Sequence, residues 1–194
     1  MSRDVHGYSL LELLLVLGVV TTLAGIAIPH VVTAVDDQRA VGAARYVSTR
    51  LQRVRMEAIM RSADVAMQFT SDQRGFAYAI FVDGNHNGVL TRDIQRGIDV
   101  RLGAVERLSD NFPGVEFATF AGLPPVDPGS APPGADPIRL GSSNLATFTA
   151  LGTATPGSLY IRGRRTQYVV RIFGDTARTR VLRFDARANT WRPL

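Results

Sequence analysis

A run of 21 residues from Tyr8 to Ile28, in which Glu12 is the only charged side chain, constrains this chain more than any other feature. About 20 apolar residues carry a helix across the hydrocarbon core of a bilayer, so the run reads as a membrane span. Ahead of it stands a short polar leader, residues 1–7, whose Arg3 places the N-terminus on the cytoplasmic side and the remainder of the chain outside the cytoplasm. A carboxylate within such a span is unfavourable by about 2.5–3.5 kcal/mol at the helix centre, and by less near an end. Glu12 therefore needs a partner. No basic residue lies between Tyr8 and Pro29, so the partner comes from outside this helix. A free amine at the start of a neighbouring copy would serve, were the leader removed at Gly7.

Gly7 followed by Tyr8-Ser9-Leu10-Leu11-Glu12 resembles the class III leader of type IV prepilins, in which a glycine precedes an aromatic residue and glutamate stands fifth after the cut. The resemblance implies cleavage after Gly7 by a prepilin peptidase and N-methylation of the new terminus at Tyr8. It also implies pairing of Glu12 with the N-terminal amine of an adjacent pilin or pseudopilin during assembly. Pro29 falls where many pilins carry a proline that interrupts the stem helix. The implied location is a single pass through the inner membrane with the head in the periplasm. An ordinary secretory signal peptide shares the charged start and the apolar run, and Gly25-Ile26-Ala27 is a passable cleavage site. The embedded glutamate, the Gly7 junction and the helical pattern beyond Pro29 argue against it.

That pattern places Val47, Leu51, Val54 and Ala58 on one stripe at helical spacing, with arginines largely elsewhere. Gly42 and Pro29 are weak points in a helix, and a bent or partly melted stem is expected there. From Asp64 the period changes to two. Val65, Met67 and Phe69 face Phe76, Tyr78, Ile80 and Val82 across the turn Ser71–Gly75, a hairpin. Further strands are expected at 98–102, 115–120, 147–151, 158–162, 168–173 and 180–185. The expected fold class is α+β, a long N-terminal helix packed on an antiparallel β-sheet head. The divisions are a leader (1–7), a transmembrane helix (8–28), an amphipathic half of the stem (29–62) and a β-rich head (63–194). Within the head, 121–137 reads as an exposed loop, with six of the ten prolines between Leu123 and Pro137.

The head adds to the resemblance. Val54-Arg55-Met56-Glu57-Ala58-Ile59, the run Phe81 to Gly88, and the pattern Phe148…Gly152…Gly157-Ser158-Leu159 look like the GspH/FimT branch of minor pilins. Two roles follow from it: a minor pseudopilin of a type II secretion pseudopilus, or a FimT-like minor pilin of a type IV pilus that takes part in assembly and DNA uptake. The leader does not separate them.

Three constellations bear on chemistry. Asp83, Asn85 and Asn87 stand at positions 1, 3 and 5 of a calcium-loop pattern with Gly88 at 6, and Asp93 sits near its end. Position 12 is Ile94 rather than an acid, so these residues are candidate Ca²⁺ ligands or simply a tight polar turn. Between Arg162 and Arg192 nine arginines face two aspartates. By resemblance to FimT-type pilins, Arg164, Arg165, Arg178 and Arg180 are candidate DNA contacts. They equally fit the wet face of a half-buried sheet. The chain has no cysteine and no lysine, and its net charge of +5 favours acidic partners in general. No histidine pair, metalloprotease motif, phosphate loop or dinucleotide fingerprint is present, which argues against an enzyme, and no other cofactor is expected.

Overall fold

The computed structural model describes residues 9–194; the expected leader with Gly7, and Tyr8 after it, lie outside the described residues. Helix α1 (Leu10–Arg61) opens at Ser9. The Ser9 Oγ accepts the Leu11 N–H at 3.3 Å, the bond by which a short polar side chain satisfies an orphan donor of the first turn. As far as Asp36 the helix keeps its large apolar side chains in the open, with Leu10, Leu13, Leu17, Val20 and Leu23 all more than half exposed. Thr21 and Thr22 return their hydroxyls to the Leu17 and Gly18 carbonyls at 2.8–3.0 Å, so neither presents an unmet donor on this apolar surface.

The second compact unit begins at Asp37. There α1 buries Ala40, Ala43, Ala44, Val47, Leu51, Val54 and Ala58, which extends the expected stripe by three alanines. The expectation of melting is corrected: α1 stays helical through both Pro29 and Gly42. A proline removes one hydrogen bond from a ladder that the flanking turns maintain. Gly42 has a packing reason, since a Cβ there would stand 3.2 Å from Cε1 of Phe112, whose ring tilts against Tyr46 at a centroid distance of 5.6 Å. The helix ends in a left-handed residue, Ser62 (φ 51°). The Ala63 N–H reaches the Ala58 carbonyl and the Ser62 N–H the Ile59 carbonyl, both at 3.2 Å, which is the Schellman arrangement.

Beyond it come β1 (Val65–Asp72), β2 (Gly75–Val82), α2 (Thr91–Gln95), β3 (Val100–Arg107), α3 (Leu108–Asn111), β4 (Glu116–Phe117), β5 (Ile138–Arg139), β6 (Leu145–Phe148), β7 (Gly157–Arg162), β8 (Gln167–Ile172), β9 (Thr179–Asp185) and β10 (Thr190–Pro193). The strands make two antiparallel sheets rather than one, in the orders β3-β2-β1-β6 and β10-β9-β8-β7-β4, with β5 also paired to β7. The expected hairpin is β1–β2, in register from Val65↔Val82 to Asp72↔Gly75. Residues 147–151 are corrected: the strand stops at Phe148 and 149–152 form a turn, closed by the Gly152 N–H on the Thr149 carbonyl at 3.0 Å. The segment 115–120 keeps only the two residues of β4 as strand.

The helix stripe, the inward residues of β1 and β2 (Val65, Met67, Phe69, Tyr78) and those of β7 and β8 (Leu159, Ile161, Tyr168, Val170, Ile172) form one core. The opposite face of the six-stranded sheet has a core of its own, Tyr160, Val169 and Leu182 with the partly buried Phe184 and Trp191. The proline-rich segment covers it. Leu123 is buried there, with Val126 packed alongside, so the expectation of a wholly exposed loop is corrected for its first half. Polar ties hold it down: Arg171 pairs with Asp127 at 2.6 Å and Trp191 Nε1 donates to the Pro124 carbonyl at 3.0 Å, while just ahead of it the buried Gln167 bridges the Phe120 N–H and the Ala118 carbonyl.

Candidate functional site

Glu12 lies in the first turn of α1, three residues after the capping Ser9. Ser-x-x-Glu is the capping-box spacing, and a carboxylate at this point meets the positive end of the helix dipole. Its own helix thus lowers part of the free-energy cost of the charge that the sequence reading assigns wholly to a neighbour. Around it Leu10, Leu11, Leu13, Leu14 and Leu15 are all more than half exposed, a surface that water does not tolerate. The helix is long and apolar enough to cross a membrane.

Three of the four candidate calcium ligands, Asp83, Asn85 and Asn87, share one turn and Asp93 meets them from α2, but their oxygens face N–H groups. Asp83 Oδ1 accepts the Asn85 N–H at 3.0 Å and its Oδ2 the Gly88 N–H at 2.7 Å. Asn85 Oδ1 accepts from the Asn87 N–H at 3.4 Å, and Asn87 Nδ2 donates to Asp93 Oδ2 at 3.1 Å. A second clamp, absent from the sequence reading, is Asp99. Buried at 2 % exposure, it accepts the Gly84 and Leu90 N–H groups at 3.1 and 2.9 Å. Gly84 has to be glycine, because any Cβ would collide with the Ile98 carbonyl. Among the described residues no three acidic or histidine side chains converge as a metal centre.

Burial raises the pKa of Asp83, but the N–H groups of Asn85, Gly88, His86 and Asn87 outweigh burial and hold it below the ordinary 3.8. Asp72 is lowered by its bond from Arg107, and Asp185 by the Ala188 and Arg187 N–H groups. A carboxyl whose folded pKa is depressed stabilises the fold above its unfolded value and loses that contribution as pH falls through the folded one. The melting temperature should therefore drop once the pH falls below about 4. Asp83→Asn should cost about 1–3 kcal/mol at pH 7 and lose less than the parent on further acidification. Thermal melts of the two chains at pH 7 and pH 3 check this.

The four candidate DNA-contacting arginines are not brought together. Arg165, on the β7–β8 turn, joins Arg183, Arg187 and Arg192 around a cleft of about 450 Å³ that also presents Phe184. Arg164 instead lies against Gly114, where its Nε would be 3.6 Å from an added Cβ. Arg178 lines a separate cleft with Arg55. Arg180 stands opposite Arg171 in the β8–β9 register. The cleft around Arg165 keeps a cationic surplus although Arg192 pairs with Asp185 at 2.9 Å.

One cluster has no signal in the sequence. Glu106 on β3 accepts hydrogen bonds from the Tyr46 hydroxyl (2.8 Å) and the Tyr78 hydroxyl (3.1 Å), and pairs with Arg50. Burial first, then the nearby Glu106, raises the pKa of both tyrosines and keeps them as neutral donors. The cluster ties α1 to the four-stranded sheet.

Residues 43–176 match the family model described as type II transport protein GspH. Over 85 residues the chain is 43 % identical to "Pilin-like protein PilA1" of Thermus thermophilus, covering 42 % of this chain and 51 % of that one. The chain thus spans about half the length of this curated relative. No solved structure matches. With the matched segment taking in most of the head, and a long apolar helix preceding an antiparallel β domain, the chain belongs to the GspH family of type IV pilin-like proteins.

Proposed function

We propose that the chain is a minor pseudopilin, a non-enzymatic structural subunit of a type II secretion pseudopilus. The observation that carries this reading is the exposed apolar surface of α1 between Leu10 and Val35, opened by a lone carboxylate, in a GspH-family chain. In this reading a prepilin peptidase cuts after Gly7 and methylates Tyr8. The precursor waits in the inner membrane with its head in the periplasm. On assembly the helix leaves lipid for a bundle of like helices. Lipid tails are already apolar, so close packing and the pairing of Glu12 with a neighbour's N-terminal amine must supply the preference. Intact-mass analysis of protein from cells with and without the peptidase tests it. A chain beginning at methylated Tyr8 only when the peptidase is present supports the reading, and an uncut chain or one cut near Ala27 overturns it. Glu12→Leu should be processed normally yet be missing from sheared filament fractions.

A second reading, a FimT-like minor pilin that binds DNA, draws on the cleft formed by Arg165, Arg183, Arg187 and Arg192 beside Phe184. Arginine forks and an aromatic face together suit phosphates and stacked bases. Salt-sensitive retardation of DNA by the purified chain, lost in Arg183→Gln/Arg187→Gln, would favour it, whereas failure of exoprotein secretion on deletion favours the first.

A further inference from the structure

We propose that the cleft between the last turns of α1 and the β6–β7 turn docks a segment of a partner protein that presents a carboxylate beside an aliphatic side chain. The inference does not depend on which filament the chain joins. The cleft, about 490 Å³, is lined by Arg55, Ile59, Leu151, Asp175, Thr176 and Arg178 among others.

Its apolar half is displayed rather than buried. Leu151 is 93 % exposed and Ile59 41 %, with Met56 and Met60 also open on the same stretch of helix. Leu151 is not on a slack loop. The Thr149 N–H meets the Thr153 carbonyl at 2.9 Å, the two threonine hydroxyls meet at 2.8 Å, and the Ala150 N–H bonds Asp64 at 3.3 Å. Gly152 supplies the left-handed turn at φ 84°. A leucine held nearly whole in water on a fixed turn has already lost the backbone freedom that docking would otherwise cost, which is how anchor residues of interfaces are prepared.

The polar half lacks a counter-charge. Neither Arg55 nor Arg178 has an ion-pair partner among the described residues. Asp175 is the one acid on the lining. Two cations against one anion leave the cleft positive, and a half-buried guanidinium gains most from a carboxylate that brings bidentate acceptors. Nucleic acid fits less well. The lining has no aromatic face for a base, and the exposed centre is aliphatic.

The test uses the full chain in detergent micelles, with labelled Leu, Ile and Met methyl groups observed by NMR. The probes are a capped peptide of alternating glutamate and leucine, the same peptide with glutamine for glutamate, and a single-stranded oligonucleotide. The acidic peptide should shift the Leu151 and Ile59 methyls saturably. The glutamine peptide should bind about tenfold more weakly. Arg178→Gln should weaken the acidic peptide by a similar factor, and Leu151→Asp should abolish the shifts while leaving the melting temperature unchanged, since that side chain touches little. No saturable shift up to about 1 mM peptide, equal shifts from both peptides, or shifts from the oligonucleotide alone would each overturn the proposal.

Discussion

Leu51→Ala is expected to lower the stability of the head by about 2–5 kcal/mol, the range for a leucine removed from a close-packed core. Leu51 is fully buried at the middle of the helical stripe, in the one cluster that gathers side chains from α1 and from both sheets. Its cluster draws side chains from three elements, so a cavity there is expected to collapse poorly. That places the loss towards the upper part of the range. For a domain of this size a loss of about 3 kcal/mol corresponds to a fall of roughly 6–12 °C in melting temperature. Fluorescence of Trp191, the only tryptophan in the chain, follows unfolding of the six-stranded sheet without interference from the apolar part of α1. Met60→Ala, at a 67 % exposed position on the same helix, is the control and should change stability by less than about 0.5 kcal/mol. Equal effects at the two sites would mean that α1 is not seated in the head as described.

Glu106→Ala should cost about 2–4 kcal/mol, through a different mechanism. One carboxylate serves two tyrosine hydroxyls and the Arg50 guanidinium, and its removal strands all three at once. The side chains of Arg50 and Glu106 keep 21 % and 23 % of their exposure, so water relieves part of the loss. Tyr78, at 2 % exposure, has no such relief. Glu106→Gln keeps an acceptor but not the charge and should fall between parent and alanine. Arg50→Met/Glu106→Leu, which removes both charges together, should be less destabilised than Glu106→Ala. The urea midpoints of these chains, together with those of Arg50→Met and Glu106→Leu made singly, decide this, and strict additivity of the two single substitutions in the double variant would rule out the coupling.

Much of the architecture is legible because its signals are periodic. Val47, Leu51, Val54 and Ala58 mark the buried face of α1, and alternation in 65–69 and 76–82 marks the hairpin. What escapes is either too short to show a period or set by pairing across long stretches of sequence. Helices α2 and α3 and strands β4 and β5 have two to five residues each. The alanines at 40, 43 and 44 carry little hydrophobic signal although they are wholly buried. Prolines and glycines make 121–137 look free, whereas its docking rests on Leu123, Val126 and Asp127 meeting partners on β7 to β10. The arginines group by sequence proximity, while strand register sends Arg165 and Arg178 to different clefts. Asp83 reads as a ligand because an aspartate in a turn serves a cation or a backbone N–H equally well; only geometry tells which. Glu106 offers no local pattern, since its partners lie 28 to 60 residues away.

The placement of the stripe on α1 also bears on how the chain is made. Ribosomes finish this helix first, yet Tyr168, Val170 and Ile172, which share its core, are translated last but for the final two strands. At synthesis rates of about 5–20 residues per second, the stripe waits several seconds before its covering strands exist. Four of its seven buried positions are alanine, which offers the least apolar area of any residue able to line such a face. A stripe built this way remains only weakly adhesive throughout the interval in which an equivalent leucine-rich stripe would seek the wrong partner.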